Sequence, residues 1–208
     1  MDNRRLSTLS VLLLAGAAMV GCLDDDDPIG VDPEEPLELA FSFDDDLEGW
    51  YAVAIDTLNP VIDWSVDHTE EVGQDEDGAV ELQLDNFNDA GKIWIEGELG
   101  LIPGVEYDVQ IDYSLGTADW GDVNLFTIIT GVHEAPPRDA DELTFQGDTG
   151  HDQGQNAGVV WLDKSYEFDF TAPITGVAYV TIGVWGTFEA PRTYYIDDVT
   201  LTFTPSDS

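Results

Sequence analysis

Cys22 is the only cysteine in the 208-residue chain, so its position decides what chemistry its thiol can do. A single cysteine excludes an intramolecular disulfide, and the fold must rely on its core. The residues before it, 11–21, form an apolar run that is too short to cross a bilayer, which takes about 20 residues. Charged residues precede this run and a small glycine ends it. The pattern predicts a signal peptide over residues 1–21 that is cleaved before Cys22.

The four residues Met19-Val20-Gly21-Cys22 resemble the lipobox of bacterial lipoproteins, with Met19 where that pattern usually has leucine. The resemblance implies that Cys22 is acylated. Because each buried methylene contributes about 0.8 kcal/mol, a multiply acylated cysteine would hold the chain to a membrane in effect permanently. The alternative is an ordinary secreted protein with a buried thiol near its start.

An acidic, proline-containing tether, residues 22–36, follows the cysteine. Its run Asp24–Asp27 favours a solvated spacer, because adjacent carboxylates repel one another and stay extended. The run also resembles the acidic export signal of surface-exposed lipoproteins in some Gram-negative groups. We therefore expect lipid anchoring to the cell envelope, in the outer membrane with exposure at the cell surface, and the membrane leaflet stays open.

Catalytic motifs are absent from the sequence. It has no G-x-S-x-G elbow, no H-E-x-x-H pair, no phosphate-binding loop and no dinucleotide-binding glycine pattern. His68, His133 and His151 lie at unrelated spacings in polar contexts and are interpreted as surface residues. A carboxylate pair could hydrolyse a glycosidic bond, but so acidic a chain brings carboxylates together by chance. We expect a protein that is not an enzyme.

Aromatic side chains could bind a sugar, because a ring offers a flat apolar face beside hydrogen-bonding groups. Trp94 lies between Ile93 and Ile95 and points outward if those two pack inward. The segment 177–185 is apolar on both faces, as in a strand that is buried on both sides or contributes to a groove. The predicted ligand-binding residues are Trp94, Trp120, Tyr179 and Trp185, with Asn124 as a polar partner. The alternative is that most of these side chains complete the core, as we expect for Trp50 and Trp64.

The charge of the chain is strongly one-sided, at −38. Removing residues 1–21 leaves 43 acidic and four basic side chains. Self-repulsion on this scale destabilises a compact state in dilute buffer, whereas molar salt screens it within about 3 Å. We interpret this as the surface of a protein from a salt-loving (halophilic) organism. Nucleic acid is excluded as a partner, since phosphate binding needs clustered lysine and arginine.

Period-two alternation of apolar and polar residues runs through the rest of the chain and predicts strands. It is clearest at 105–115, and 195–203 repeats it with Tyr195, Val199, Leu201 and Phe203 on one face. No segment shows a capped helical period. Strands separated by Gly, Pro and Asp turns predict an all-β fold, an antiparallel β-sandwich or jelly roll, as a single domain over 37–204 with a tail at 205–208. The stretch 134–158 breaks the pattern and is either a binding loop or a disordered insertion.

Short motifs at both ends and in the middle of this domain resemble bacterial carbohydrate-binding modules with the galactose-binding-like jelly-roll fold. They are Phe41-Ser42-Phe43-Asp44 with Leu47-Glu48-Gly49-Trp50, the turn Leu101–Tyr107, and the closing strand Tyr194–Leu201. The resemblance implies a non-catalytic module that binds a glycan. The fold also hosts proteins without a small ligand, so a structural or adhesion lipoprotein stays open, as does a glycan-acting enzyme.

The same resemblance implies a structural calcium ion between the first and last strands, with Asp44 and Asp197 as its ligands. Hard oxygen ligands in a charge-dense site suit Ca²⁺. The alternative is that Asp44 and its acidic neighbours only cap a strand in a protein that is acidic everywhere.

Overall fold

The computed structural model describes residues 35–75, 78–118, 126–147, 158–187 and 191–206, which belong to one compact unit, Val31–Ser208. These residues contain a 3-10 helix, Ala140–Glu142, and ten strands: β1 (Leu37–Phe41), β2 (Tyr51–Ile55), β3 (Trp64–Thr69), β4 (Ala79–Asp85), β5 (Lys92–Gly100), β6 (Glu106–Thr117), β7 (Phe126–His133), β8 (Val160–Thr171), β9 (Val177–Gly186) and β10 (Pro191–Pro205). The signal peptide (1–21), Cys22 and the acidic run lie outside the described residues. Within those residues, no helix has both the length and the hydropathy to span a membrane.

The strands form two antiparallel sheets that pack face to face. The six-stranded sheet has the order β3-β4-β10-β6-β8, with β1 also paired to β10, and the four-stranded sheet has the order β2-β5-β9-β7. Side chains from both sheets share one buried core, with Val80 and Phe203 from the first and Ile93 and Ile182 from the second. The predicted fold class, an all-β antiparallel sandwich or jelly roll, is confirmed.

Strand β6 shows how the sequence pattern becomes the layered structure. Tyr107, Val109 and Ile111 are buried between the sheets, whereas Glu106 and Asp108 are exposed on the outer face. Successive side chains of a strand point to opposite faces. A sequence in which polar and apolar residues alternate therefore forms a strand with one buried and one exposed face. The prediction from alternation at 105–115 is confirmed.

Strand β10 is the longest, with 15 residues, and both halves of the six-stranded sheet depend on it. Along one edge it pairs first with β4 and then with β1, and along the other edge it pairs with β6. Its register against β6 shifts between Asp197 and Thr200, where β10 has one residue more than its partner. This is a β-bulge, and Asp198 within it has a left-handed φ of 51°.

The bulge reverses which residues of β10 face the core. Ile196 and Val199 are both buried in the core, although they are three positions apart. Tyr195 therefore lies on the outer face, with its ring centroid 6.1 Å from that of Trp161. The expectation that Tyr195 shares a face with Val199 is wrong, because it assumed an uninterrupted strand.

Of the two tryptophans that were expected in the core, one is buried there and the other is exposed. Trp50 is buried in the core, as expected. Trp64 is 39% exposed, and the expectation for it is wrong. It is the first residue of β3, which is an edge strand of the six-stranded sheet. At that rim, few neighbouring side chains remain to cover a large ring.

Residues 134–147 form a third layer, which we call the cover segment. They cross the outer face of the four-stranded sheet, where Leu143 is buried against Trp94 and Ile129. Over these residues the alternative of a disordered insertion is wrong, because the segment is packed. Residues 148–157 of the same stretch lie outside the described residues.

Like charges face each other across the outer surface of the six-stranded sheet. Asp108 of β6 and Asp169 of β8 are exposed and stand directly opposite in register. Such a pair destabilises a sheet by a few tenths of a kcal/mol to about 1 kcal/mol. We expect Asp169→Asn to raise the free energy of unfolding by about 0.5 kcal/mol in dilute buffer and by much less in molar salt, where the repulsion is screened. Denaturant unfolding at both salt concentrations measures the difference.

The matched control is Glu38→Gln. Glu38 faces Thr202 in register, so this change removes one negative charge without relieving a like-charge pair. An equal gain from both variants would contradict the pairwise explanation and leave general repulsion as the cause.

Candidate functional site

Three of the predicted ligand-binding residues share one face of the four-stranded sheet. Trp94 on β5 and Trp185 on β9 belong to a small apolar cluster that is separate from the main core. Their strand neighbours Ile93 and Val184 point the other way, into the main core. Tyr179 has the same parity on β9 as Trp185 and therefore lies on the same outer face. Trp120 and Asn124 lie outside the described residues.

The cover segment hides Trp94. The expectation that this side chain points away from the main core agrees with its position, but its exposure is 0%. Ile129, Leu143 and Phe145 surround it. Its indole nitrogen Nε1 is buried and has no hydrogen-bond partner among the described residues. In this conformation the ring therefore offers no face to a ligand.

The cover segment is attached to the edge of β7 by hydrogen bonds. The backbone N–H of Thr130 donates to the carbonyl of Thr144 (3.2 Å), and the N–H of Gln146 donates to the carbonyl of Ile128 (2.9 Å). The Gln146 side-chain amide also donates to the carbonyl of Thr130 (2.8 Å). Gly131 makes room for this contact, since a Cβ there would come within 2.8 Å of the Thr144 side chain.

An ion pair ties the other end of the cover segment to β5. The Arg138 guanidinium donates to both carboxylate oxygens of Glu96, at 2.7 and 3.0 Å. The Glu96 side chain is only 5% exposed, whereas that of Arg138 is 54% exposed. The hydrogen bond to Glu96 is the main reason that the pKa of Arg138 is raised. Such two-point charge-assisted bonds are strong and directional, and a buried carboxylate that lost its partner would be strongly destabilising.

His133 lies at the same end of this face. Its Nε2 is 3.0 Å from the Thr181 hydroxyl, and burial lowers its pKa against the opposing charges of Glu96 and Glu142. Glu142 accepts the backbone N–H groups of Arg138 and Asp139, and these bonds lower its pKa. The histidine is thus a packed, neutral-favouring group rather than the surface residue that the sequence suggested.

Trp185 lies at the opposite end of the face and is only partly buried. Its indole N–H donates to the carbonyl of Asp89 (3.0 Å), and its ring centroid is 5.4 Å from that of Phe145. The ammonium of Lys92 lies 4.8 Å from the ring centroid. Lys92 also pairs with Asp56 at 2.6 Å. These contacts hold the ring in one orientation while part of it stays accessible.

A groove of about 570 Å³ lies between the β2–β3 turn and the cover segment. Ile55 lines the groove and is paired in one row with Lys92 and Trp185 across β2, β5 and β9, which places Ile55 about 10 Å from Trp185. The groove mixes apolar with polar side chains, the polar ones being Asp56, Thr57, Asn59, Arg138 and Asp139.

Sequence reasoning missed several residues of this site, notably Asp56, Lys92, Glu96, Arg138 and Phe145. One signal could have found two of them. Lys92 and Arg138 are two of the four basic residues that follow residue 21. In so acidic a chain, each retained cation is a candidate for a specific partner.

The two predicted calcium ligands border the same connection between β3 and β4. The buried carboxylate of Asp197 accepts the N–H of Gln74 and the N–H of Asp198, both at 2.8 Å. The Asp44 carboxylate is exposed, and its backbone carbonyl is 3.2 Å from Nε2 of His68. Among the described residues no group of three or more His, Cys, Asp or Glu side chains is arranged to hold a metal. Ca²⁺ takes roughly six to eight oxygen ligands, so calcium binding here stays a prediction.

Comparison with known proteins gives similarity in structure only. No protein-family model and no curated protein matches the chain. Among solved structures, the K3 cleaved adhesin domain of Lys-gingipain from Porphyromonas gingivalis W83 has 16% identity, covers 81% of this chain and 99% of its own, and has a TM-score of 0.49. The CBM22-1 xylan-binding domain from Paenibacillus barcinonensis Xyn10C has 15% identity, coverages of 81% and 95%, and a TM-score of 0.43.

The arabinose-bound α-L-arabinofuranosidase MgGH51 has 10% identity and a TM-score of 0.50 over 76% of this chain, but over only 23% of its own length. At such low identities these similarities concern the fold alone.

Proposed function

We propose that this chain is a non-catalytic, lipid-anchored envelope protein whose β-sandwich binds a glycan on the outer face of the four-stranded sheet. The observation that carries the proposal is the partly exposed Trp185 ring, held between Phe145 and Lys92 near a polar groove. A sugar ring presents an apolar C–H face and a polar rim. The site offers an aromatic surface for the first and side-chain hydrogen-bonding groups for the second.

The charges around the site support sugar binding more than catalysis. The buried carboxylates of Glu96 and Asp197 each accept hydrogen bonds from donors within the protein. A glycosidase needs two carboxyl groups facing a scissile bond, one of them kept protonated. Of the two carboxylates that line the groove, Asp56 and Asp139, the first is paired with Lys92. The proposed module retains a glycan without cleaving it.

The variant that tests the site is Trp185→Ala. We expect the wild-type protein to be retained on at least one polysaccharide of a broad glycan panel at high salt. Loss of the Trp185 ring should weaken this binding by about 1–2 kcal/mol, or roughly tenfold in Kd, without loss of the fold. Affinity electrophoresis or isothermal titration measures the effect, and circular dichroism checks the fold.

Trp161→Ala is the matched control, because Trp161 is also a partly buried tryptophan but lies on the outer face of the six-stranded sheet. It should bind as the wild type does. Absence of retention on every glycan would contradict the proposal and favour a structural or adhesion role, which crosslinked pull-down from whole cells would then reveal. Release of shorter sugars from a bound glycan would contradict the non-catalytic part.

The lipid anchor is tested separately at Cys22. We expect the wild-type chain to incorporate labelled palmitate and to fractionate with the outer membrane, because Cys22 follows a lipobox-like sequence. Cys22→Ser should abolish both labelling and membrane fractionation. Protease treatment of intact cells then tests surface exposure. Membrane fractionation of the Cys22→Ser protein without label would contradict the anchor.

A further inference from the structure

Few interactions hold the cover segment on its sheet, and they can break without unfolding of the strands beneath it. Two residues of the segment, Pro137 and Leu143, are buried, and Phe145 is partly buried. Two backbone hydrogen bonds and one from the Gln146 side-chain amide join it to the edge of β7, and the segment also carries the exposed partner of the Arg138–Glu96 pair. Segments with so few buried contacts open at lower free energy than the core strands beneath them.

The strip beneath the segment has the composition of a ligand-binding surface. Trp94 and Trp185 are its aromatic members, and Glu96 and Thr181 lie on the same face as polar ones. Trp94 and Thr181 have 0% exposure. Both polar side chains are hydrogen-bonded where they lie, Glu96 to Arg138 and Thr181 to His133, so the strip offers polar groups beside its aromatic rings.

The indole N–H of Trp94 supplies an independent observation. In the closed arrangement it is buried, and no residue in the described part of the chain accepts a hydrogen bond from it. Leaving a buried donor unpaired is unfavourable, so the closed state carries a penalty that is removed when the N–H meets an acceptor. Hydroxyl oxygens of a sugar, or water, would provide that acceptor once the segment moves away.

The Arg138–Glu96 pair fits the role of a latch. The segment supplies the partner of the buried Glu96 carboxylate, and we expect opening to hydrate this carboxylate instead of leaving it buried and unpaired. More than half of the Arg138 side chain is exposed, so solvent reaches the pair and salt can weaken it.

We propose that residues 137–146 are a gate, latched by Arg138 and Glu96, that opens to let a saccharide reach Trp94. The ligand class rests on the function proposed above, whereas the opening itself does not. Trp185 then serves as the part of the surface that is accessible before opening, and Trp94 as the part that becomes accessible after it.

Hydrogen exchange of the tryptophan indoles tests the opening without any ligand. In the mature chain carrying Cys22→Ser, Arg138→Ala should accelerate exchange of the Trp94 indole N–H by roughly tenfold, measured by ¹⁵N NMR. Exchange of Trp50, in the main core, should not change. Arg192→Ala removes the same charge from the six-stranded sheet and should leave Trp94 as it is. Exchange of Trp94 at the rate of Trp50 in every variant would overturn the gate, because the cover segment would then open only with the whole domain.

A reversible lock tests the consequence for binding. Ile129 and Phe145 face each other across an antiparallel bridge, flanked by the Thr130–Thr144 and Gln146–Ile128 hydrogen bonds. Such non-hydrogen-bonded pairs have Cα atoms about 4.5 Å apart, within the range of a disulfide. The double variant Ile129→Cys, Phe145→Cys should form a closed, cross-linked segment when oxidised.

The oxidised protein should bind its glycan at least roughly tenfold more weakly than the same protein after reduction. The disulfide prevents the cover segment from opening, so the open state that binds the glycan is no longer populated. Equal binding by the two forms would overturn the gate and leave the proposed function intact. If neither form and no wild-type sample binds any glycan, the proposed function fails, and the indole exchange alone decides whether the cover segment opens.

Discussion

A sheet that is apolar on both faces must be covered on both faces, and this constraint shapes the whole four-stranded half of the molecule. One face of β5 and β9 packs into the main core through residues such as Ile95 and Val180. The other face carries Trp94, Ile129 and Val53, which water would contact if nothing lay over them. The cover segment supplies that third layer. The same requirement places the candidate site at the border of the cover, where Trp185 is neither fully buried nor fully free.

Electrostatics select the attachment points of this layer. A chain with a net charge of −38 repels itself over most of its surface, and each cation can relieve that repulsion at one place only. Lys92 and Arg138 both lie over the four-stranded sheet and pair with Asp56 and Glu96. Opposite charges therefore meet on the outer face of this sheet. The facing pair Asp108 and Asp169 shows the contrasting situation on the other sheet.

Much of the fold follows from alternation alone, because apolar and polar side chains alternate along a strand that is buried on one face and exposed on the other. The pattern of β6 and the outward direction of Trp94 were both accessible in this way. The alternation of residue types does not reveal a β-bulge, and for this reason Tyr195 was assigned to the wrong face. It also does not indicate whether a strand lies at the edge of a sheet, so it did not distinguish Trp64 at the rim from Trp50 in the core.

The candidate site could be predicted only in part, for a related reason. Its aromatic residues lie on regular strands, and their parity gave the shared face of Trp94, Tyr179 and Trp185. The cover segment has no periodicity, since its backbone forms individual hydrogen bonds, such as that from the N–H of Gln146 to the carbonyl of Ile128, instead of a regular ladder. The pairing of Arg138 with Glu96 joins residues 42 positions apart, and no local pattern encodes it.

The central claim is that the outer face of the four-stranded sheet binds a saccharide, and the tryptophan indoles report on it directly. The measurement is a titration of the ¹⁵N-labelled mature chain carrying Cys22→Ser, at high salt, with oligosaccharides of the glycan that retains the protein. Saturable shifts should appear at the indole resonance of Trp185, with the resonances of Trp50 and Trp161 unchanged. Shifts confined to Trp161, or an unmoved Trp185 at saturation, would contradict the account.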